Sequence, residues 1–164
     1  MKKIFFTFGA VLLISSLAPY AISSEKSDAD QRFVNEAAQG GMVEVELGQL
    51  AQKNGSSDQV KEFGQEMVTD HTKLNDELGN AAKKEGFQVP TDLSAKQRAQ
   101  IQSLSKVSGK KFDSKYAQLM VKDHTEDLAA FKKAKSTTGK PELKKAIADA
   151  IPVIEHHLEM AKKM

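Results

Sequence analysis

From about residue 28 to residue 162, the apolar side chains of this sequence recur in steps of three and four residues. That spacing follows one face of an α-helix, whereas a half-buried strand would alternate apolar and polar residues. The positions in between are mainly Lys, Glu, Gln and Asp, as on the solvent-facing side of an amphipathic helix. The pattern predicts an all-α chain.

Breaks in this pattern divide the chain into four long helices and one short helix. Gly55 and Gly86 end the first two long helices, because glycine adopts the backbone conformation that closes a helix. A capping-box sequence that begins at Ser94 opens the short helix, and Pro141 suits the first position of the last helix. The expected helices cover about residues 28–52, 58–85, 94–107, 113–139 and 141–162.

The lengths of the connections predict how these helices pack. The loops within the first and second pairs of long helices are short, so each pair forms an antiparallel hairpin. A longer connection, which carries the short helix, joins helix 2 to helix 3 of the four long helices. Two hairpins joined in this way predict a ferritin-like antiparallel four-helix bundle.

The amino terminus has the order of a secretory signal peptide. Two lysines follow the initial methionine, an apolar run covers residues 4–17, and small residues come next. Cleavage after Ala21 or after Ser23 fits this order. An uncleaved anchor is disfavoured, because about 14 apolar residues fall short of the roughly 20 that span a bilayer. We expect a signal peptide at residues 1–23, a single helical-bundle domain at residues 24–164, and an exported, periplasmic protein.

Composition excludes several classes of protein. The chain has no cysteine, so neither an acylated cysteine nor a disulfide can hold it. Its net charge of +2 comes from the two lysines of the signal, and the rest has equal numbers of basic and acidic residues. With no basic stripe, we expect no nucleic acid and no anionic membrane as a partner. After signal cleavage we expect no membrane span, and the composition identifies no protein partner.

One ionisable residue interrupts the apolar stripe of each long helix, so each helix is predicted to turn one such group inward. They are Glu44 on the first, His71 on the second, His124 on the third, and His157 or its neighbour Leu158 on the fourth. His156 lies about a quarter turn away from the last stripe and is expected to lie outside the set.

The level of each residue along the bundle follows from the helical rise of about 1.5 Å per residue. Counted from the two tight turns, the three histidines fall at similar levels. Glu44 and Glu36 bracket His71 from opposite sides, so the sequence leaves open which of these carboxylates accompanies the histidines.

Three imidazoles and a carboxylate inside a bundle suit zinc, copper, iron or manganese. A bound cation would also offset the free-energy cost of burying ionisable groups. Met67, Met120 and Met160 each lie one turn from a histidine, and thioether with imidazole favours Cu(I). Methionine is equally an ordinary filler of irregular cores.

A site without metal satisfies the same side chains. Buried polar groups are normally hydrogen-bonded, and Asp70, Asp123 or Glu44 on a neighbouring helix could hold a neutral histidine. The sequence therefore leaves two interpretations open: a transition-metal site at His71, His124, His157 and Glu44, or a buried hydrogen-bond network.

The first helix contains three glycines at interior positions, Gly40, Gly41 and Gly48. Each weakens a helix by about 1 kcal/mol relative to alanine. Close approach of a neighbouring helix would explain all three.

Several motifs together identify a family resemblance. They are the Gly-Gly-Met-Val-Glu-Val-Glu-Leu-Gly run at residues 40–48 within the segment 33–51, and the segments 67–71, 108–113, 120–124 and 151–158. Over about residues 30–162 the chain resembles the exported bacterial family called domain of unknown function 4142 (DUF4142). The resemblance implies a ferritin-like bundle and export, and it implies no activity.

Ferritin chemistry does not carry over with this resemblance. Di-iron carboxylate bundles place a glutamate three residues before each of two histidines. Here Val68, Val121 and Ile154 stand three residues before His71, His124 and His157, so a redox enzyme is the least favoured function.

The sequence thus predicts an exported helical bundle without a nameable reaction. The first hypothesis is that it binds a transition metal, with zinc, copper and iron as candidates, in a periplasmic homeostasis or stress role. The alternative is a structural or interaction protein of the cell envelope, in which histidines and carboxylates form a hydrogen-bond network.

Overall fold

The computed structural model describes the backbone of residues 18–164 and the side chains from residue 27 onward. Within that part of the chain the structure is all-helical and contains no strand, as the periodicity predicts. The helices are α1 (Ala18–Asn54), α2 (Asp58–Lys84), α3 (Ala95–Ser105), α4 (Gly109–Thr137) and α5 (Pro141–Ala161).

Two helices begin earlier than the sequence predicts. α1 starts at Ala18 rather than near residue 28. Its early part contains no glycine, and Pro19 falls in the first turn, where a missing N–H breaks no helical hydrogen bond. α4 starts directly after Ser108, whose extended backbone ends the connection before it. Residues 1–17 of the predicted signal peptide lie outside the described residues. The predicted cleavage sites after Ala21 and Ser23 fall within α1, and signal cleavage stays a prediction.

Three of the predicted helix-end signals are confirmed, whereas Gly55 follows α1 without the positive φ that Gly86 has. Ser94 and Gln97 form a complete capping box at the start of α3. Gly86 follows α2 with a φ of +87°, a conformation that favours glycine, and Pro141 occupies the first turn of α5.

The long helices contact one another, and the order of these contacts shows how α1 and α2 run. Gly48 lies against Gly64, whereas Gly41, earlier on α1, lies against Asn75, later on α2. α1 and α2 are therefore antiparallel. In three other pairs, α4 with α5, α1 with α4, and α2 with α5, later residues of one helix also contact earlier residues of the other. These pairs are therefore antiparallel as well. α3 packs on α1 and α4.

The apolar interior consists of two clusters. The first core cluster comprises Val43, Leu47, Ala51, Val60, Phe63, Met67, Leu93, Ile101, Leu104, Phe112, Tyr116, Met120 and Ala161. The second core cluster comprises Phe33, Val34, Leu78, Ala82, Phe87, Ala134, Leu143, Ile147 and Ile151. Between them along their helices lie His71, His124 and His157, so these histidines form a polar layer that divides the core.

The glycines of α1 differ in their surroundings. A Cβ on Gly48 would lie 2.7 Å from the carbonyl oxygen of Gly64, so close packing against α2 explains that glycine. A Cβ on Gly41 would collide with the side chain of Asn75. The prediction is wrong for Gly40, because a Cβ there would meet no atom within 4 Å.

Of the helices that the structure describes, none is long and apolar enough to cross a membrane.

Candidate metal centre

The structure brings the three predicted histidines together in the polar layer. His71, His124 and His157 are 4%, 0% and 0% exposed. One ring nitrogen from each lies within 4.8 Å of a ring nitrogen of the others. Since α2, α4 and α5 each supply one of them, the cluster depends on the packing of three helices.

His156 lies outside this cluster, as its position off the stripe predicts. Its side chain is exposed, and its Nε2 lies 3.1 Å from Glu66 at the molecular surface. Glu36 is also exposed, whereas Glu44 is buried and contacts two of the histidines. Of the two glutamates that the sequence left open, the structure therefore places Glu44 beside the histidines.

The inward nitrogens of His71 and His157 have the spacing of two ligands on one ion. Nε2 of His71 lies 3.2 Å from Nδ1 of His157. Two nitrogens bound to a tetrahedral zinc at about 2.0–2.1 Å lie about 3.3 Å apart. The same spacing also suits a hydrogen bond between a protonated and a bare ring nitrogen.

The outer nitrogen of each histidine has its own acceptor or partner. His124 donates from Nδ1 to the carbonyl oxygen of Met120 at 3.0 Å, and His157 Nε2 lies 3.0 Å from Asp70. His71 Nδ1 lies 2.9 Å from Oε2 of Glu44. Metal-bound histidines almost always have their second nitrogen held by a carboxylate or a carbonyl in this way.

His124 and Glu44 place two acceptor atoms against each other. Because its Nδ1 donates to the Met120 carbonyl, its Nε2 is the bare nitrogen of a neutral ring. That Nε2 lies 3.5 Å from Oε1 of Glu44. Both atoms are buried, and neither has a hydrogen-bond partner among the described residues. Two facing lone pairs repel each other, and a cation bound between or beside them would satisfy both.

Burial determines the charge of the centre. Desolvation lowers the pKa of both His71 and His124 to about 4, and it lowers the pKa of His157 as well. It raises the pKa of Glu44 to about 7. At neutral pH the three imidazoles are therefore neutral, which is the form that binds metal.

Without metal, the hydrogen bonds require a proton on Glu44 when His71 and His157 are neutral. If His157 donates its only proton to Asp70, its Nδ1 must accept from Nε2–H of His71. Nδ1 of His71 is then bare, and it can only accept a proton from the Glu44 carboxyl. The raised pKa of Glu44 agrees with this arrangement.

Asp127 belongs to the polar layer, and the sequence reasoning missed it. It lines the same small cavity as Glu44 and His71, and burial together with the charge of Glu44 raises its pKa to about 8. The available signal was its position three residues after His124, which places the two on the same side of α4. Asp70, considered only as a hydrogen-bond partner, does contact His157, whereas Asp123 lies against Lys122.

The methionines near the histidines lie in the apolar core. Met67 and Met120 are fully buried members of the first core cluster, and Met160 packs against that cluster. Filling the core accounts for these three side chains.

A family model described as Domain of unknown function (DUF4142) matches residues 16–164 of the chain. Searches of curated proteins and of solved structures find no match. The chemistry of the site must therefore be argued from its own residues.

Proposed function

Because the chain belongs to the DUF4142 family, whose description states no activity, we propose a function from the site itself. The protein is an exported bundle of ferritin-like layout that binds one transition-metal ion through His71, His124 and His157. Glu44 supports the ion as the neighbouring carboxylate.

One observation carries this proposal: one nitrogen of each buried histidine converges on a common centre while the other nitrogen is held from outside. A histidine oriented only for packing needs a single hydrogen bond. Here each ring is fixed by its outer partner so that the inner nitrogen points at the other rings. That division into ligand atom and supporting hydrogen bond is typical of metal sites.

The donor set favours zinc as the first ion to test, with copper and iron as the other candidates. Imidazole nitrogen suits all three metals, and the 3.2 Å separation of the His71 and His157 nitrogens fits a tetrahedral ion. Oε1 of Glu44, which has no hydrogen-bond partner, is the fourth donor that we propose.

Export is part of the proposal and is supported by the amino-terminal order of charged, apolar and small residues. A buried site for one ion in an exported bundle suits a role in periplasmic metal homeostasis or in protection against stress. Neither role requires a chemical step at the site.

Metal analysis of residues 24–164 tests the proposal. After dialysis against zinc and removal of free ion, we expect about one zinc per chain in the wild type. The triple His71→Ala, His124→Ala, His157→Ala variant should retain none, and His156→Ala should bind as the wild type does. Equal, negligible zinc in the wild type and the triple variant would overturn the proposal, provided that copper and iron give the same result.

A structural hydrogen-bond network is the second candidate function. It is favoured by the complete chain of contacts from Asp70 through His157 and His71 to Glu44, which needs no metal. It predicts that His71→Ala lowers the melting temperature while zinc leaves the wild-type melting temperature unchanged. A zinc concentration of about 100 times Kd stabilises a binding protein by about 2.7 kcal/mol, so a melting curve separates the two candidates.

A further inference from the structure

A surface pocket of about 150 Å³ lies between α1, α3 and α4, close to the histidine centre. We call it the vestibule. Its polar lining consists of Glu44, Gln97, Gln100, Asp123, Glu126 and Asp127. Lys122 lies 3.6 Å from Asp123 and 2.9 Å from Glu126, so one lysine partly neutralises two of the four carboxylates, and the carboxylates outnumber it. Carboxylate and amide oxygens are ligands that hydrated divalent cations accept. The vestibule therefore attracts cations to one side of the bundle.

The vestibule and a small inner cavity share part of their walls. The inner cavity has a volume of about 30 Å³ and is lined in part by His71. Gly40, Glu44 and Asp127 line both spaces. These three residues therefore form the partition between the protein surface and the centre.

Gly40 keeps this partition thin. A Cβ at this position would meet no atom within 4 Å, so neither close packing nor a special backbone conformation explains the glycine. The α1 backbone there faces open space that a larger side chain would fill. Gly40 is the α1 glycine that helix packing does not account for.

Glu44 connects the partition to the histidines. It lines the vestibule, while its Oε2 lies 2.9 Å from His71 and its Oε1 lies 3.5 Å from His124. Oε1 is buried without a hydrogen-bond partner. A cation that leaves the vestibule can thus keep a carboxylate ligand until imidazole nitrogens replace its waters.

The opposite side of the centre offers a weaker route. Glu66 and Asp70 approach His157 there, but the hydrogen bond between Asp70 and His157 occupies the nitrogen that an incoming ion would need.

We propose that the vestibule is the site at which a hydrated divalent cation first binds, and that the partition of Gly40, Glu44 and Asp127 is its route to the histidines. This inference rests on the proposed function, because it assumes that the histidines bind an ion. It assigns a role in metal uptake to α3, which covers one side of the vestibule.

The rate of Co²⁺ binding to residues 24–164 tests the route, since visible absorption reports on bound Co²⁺. Gly40→Leu should slow binding by about tenfold or more, because the ion must then wait for a conformational opening. The amount of Co²⁺ finally bound should stay the same. Gly40→Ala is the matched control: it changes the same helix position with a small side chain and should bind within about twofold of the wild-type rate.

A second variant tests the vestibule by charge. The double substitution Asp123→Asn, Glu126→Gln should slow Co²⁺ binding by about threefold to tenfold at low salt, because it removes electrostatic attraction at the pocket. Glu46→Gln, which removes one charge from an exposed position of α1, should leave the rate unchanged. The double charge variant and its Glu46→Gln control test the vestibule even if Gly40→Leu does not fold.

The outcomes separate the two proposals. If the wild type binds Co²⁺ and both the Gly40→Leu and the charge variants bind it at the wild-type rate, the route is wrong and the proposed function stands. Slower binding only in the double variant Glu66→Gln, His156→Ala would move the route to the opposite side and overturn the vestibule. If the wild type binds neither Co²⁺ nor zinc, copper or iron, the proposed function fails and the route fails with it.

Discussion

At the scale of single residues, Glu44 and His124 define what the polar layer needs. Their unpartnered atoms face each other across 3.5 Å. That distance is too long for a strong hydrogen bond, and two bare lone pairs at this distance repel each other. A proton on Glu44 relieves part of the repulsion, and its raised pKa makes that proton available at pH 6 to 7. A metal ion would relieve all of it. A proton and a metal ion would therefore compete for the Glu44 carboxylate.

The pH dependence of stability follows from this carboxylate in the metal-free protein. The pKa of Glu44 rises from 4.5 to about 7 on folding. Below pH 4.5 the group is protonated in both states. As pH rises through 7, the unfolded chain ionises more readily than the folded one, so stability is lost. His71 acts oppositely: its folded pKa of about 4 means that stability is lost as pH falls below 6.5.

Glu44→Gln removes the first effect and keeps the second. We expect the free energy of unfolding of the variant, relative to the wild type, to increase between about pH 4.5 and pH 7. Urea unfolding in the presence of a chelator at several pH values measures this difference. Glu46→Gln, an exposed position on the same helix, should give a curve parallel to the wild type. If the free energy of unfolding of Glu44→Gln changed with pH in parallel with that of the wild type, the Glu44 carboxyl would not have the raised pKa.

At the scale of helices, α1 contributes more than the carboxylate. Gly48 allows α2 to approach closely, since a Cβ would lie 2.7 Å from the Gly64 carbonyl oxygen, whereas Gly40 faces open space. The two glycines have the same cost in helix propensity but different surroundings. α1 is therefore closely packed on α2 at Gly48 and faces open space at Gly40.

Alanine substitutions at these two glycines should have opposite effects on stability. Gly40→Ala should stabilise the protein by up to about 1 kcal/mol, because alanine favours the helix and meets no neighbour. Gly48→Ala should destabilise it by about 1 to 3 kcal/mol, because the added methyl group must push α1 and α2 apart. Urea unfolding of the two variants side by side measures both. Equal effects of the same sign would contradict the packing of α1 on α2.

The helices and their inward faces follow from the sequence, because a stripe with period 3.6 requires a buried face. The same stripe could not separate His157 from Leu158, and the structure buries both. It also did not single out Asp127, whose pKa is raised by burial between the helices and by the charge of Glu44 on α1. Contacts between helices depend on rotation and level, which a one-dimensional pattern does not contain.

At the scale of the whole molecule, the polar layer lowers the stability of the core and also joins the helices. It interrupts the apolar interior between the two core clusters, and buried polar groups stabilise less than the apolar side chains they replace. At the same level it joins α2, α4 and α5 through three histidines, and α1 through Glu44. An ion bound there would link helices from both hairpins.

Amide hydrogen exchange should show this link. An ion held by three helices is released when any one of them opens, so zinc should slow exchange of the most protected amides of α2, α4 and α5 by a similar factor. At about 100 times Kd, that factor approaches about 100. The triple His→Ala variant should exchange at the same rate with and without zinc. Protection that zinc increases in α5 alone would contradict an ion shared by the three buried histidines. Increased protection in all three helices is the result expected if His71, His124 and His157, one on each helix, hold the ion together.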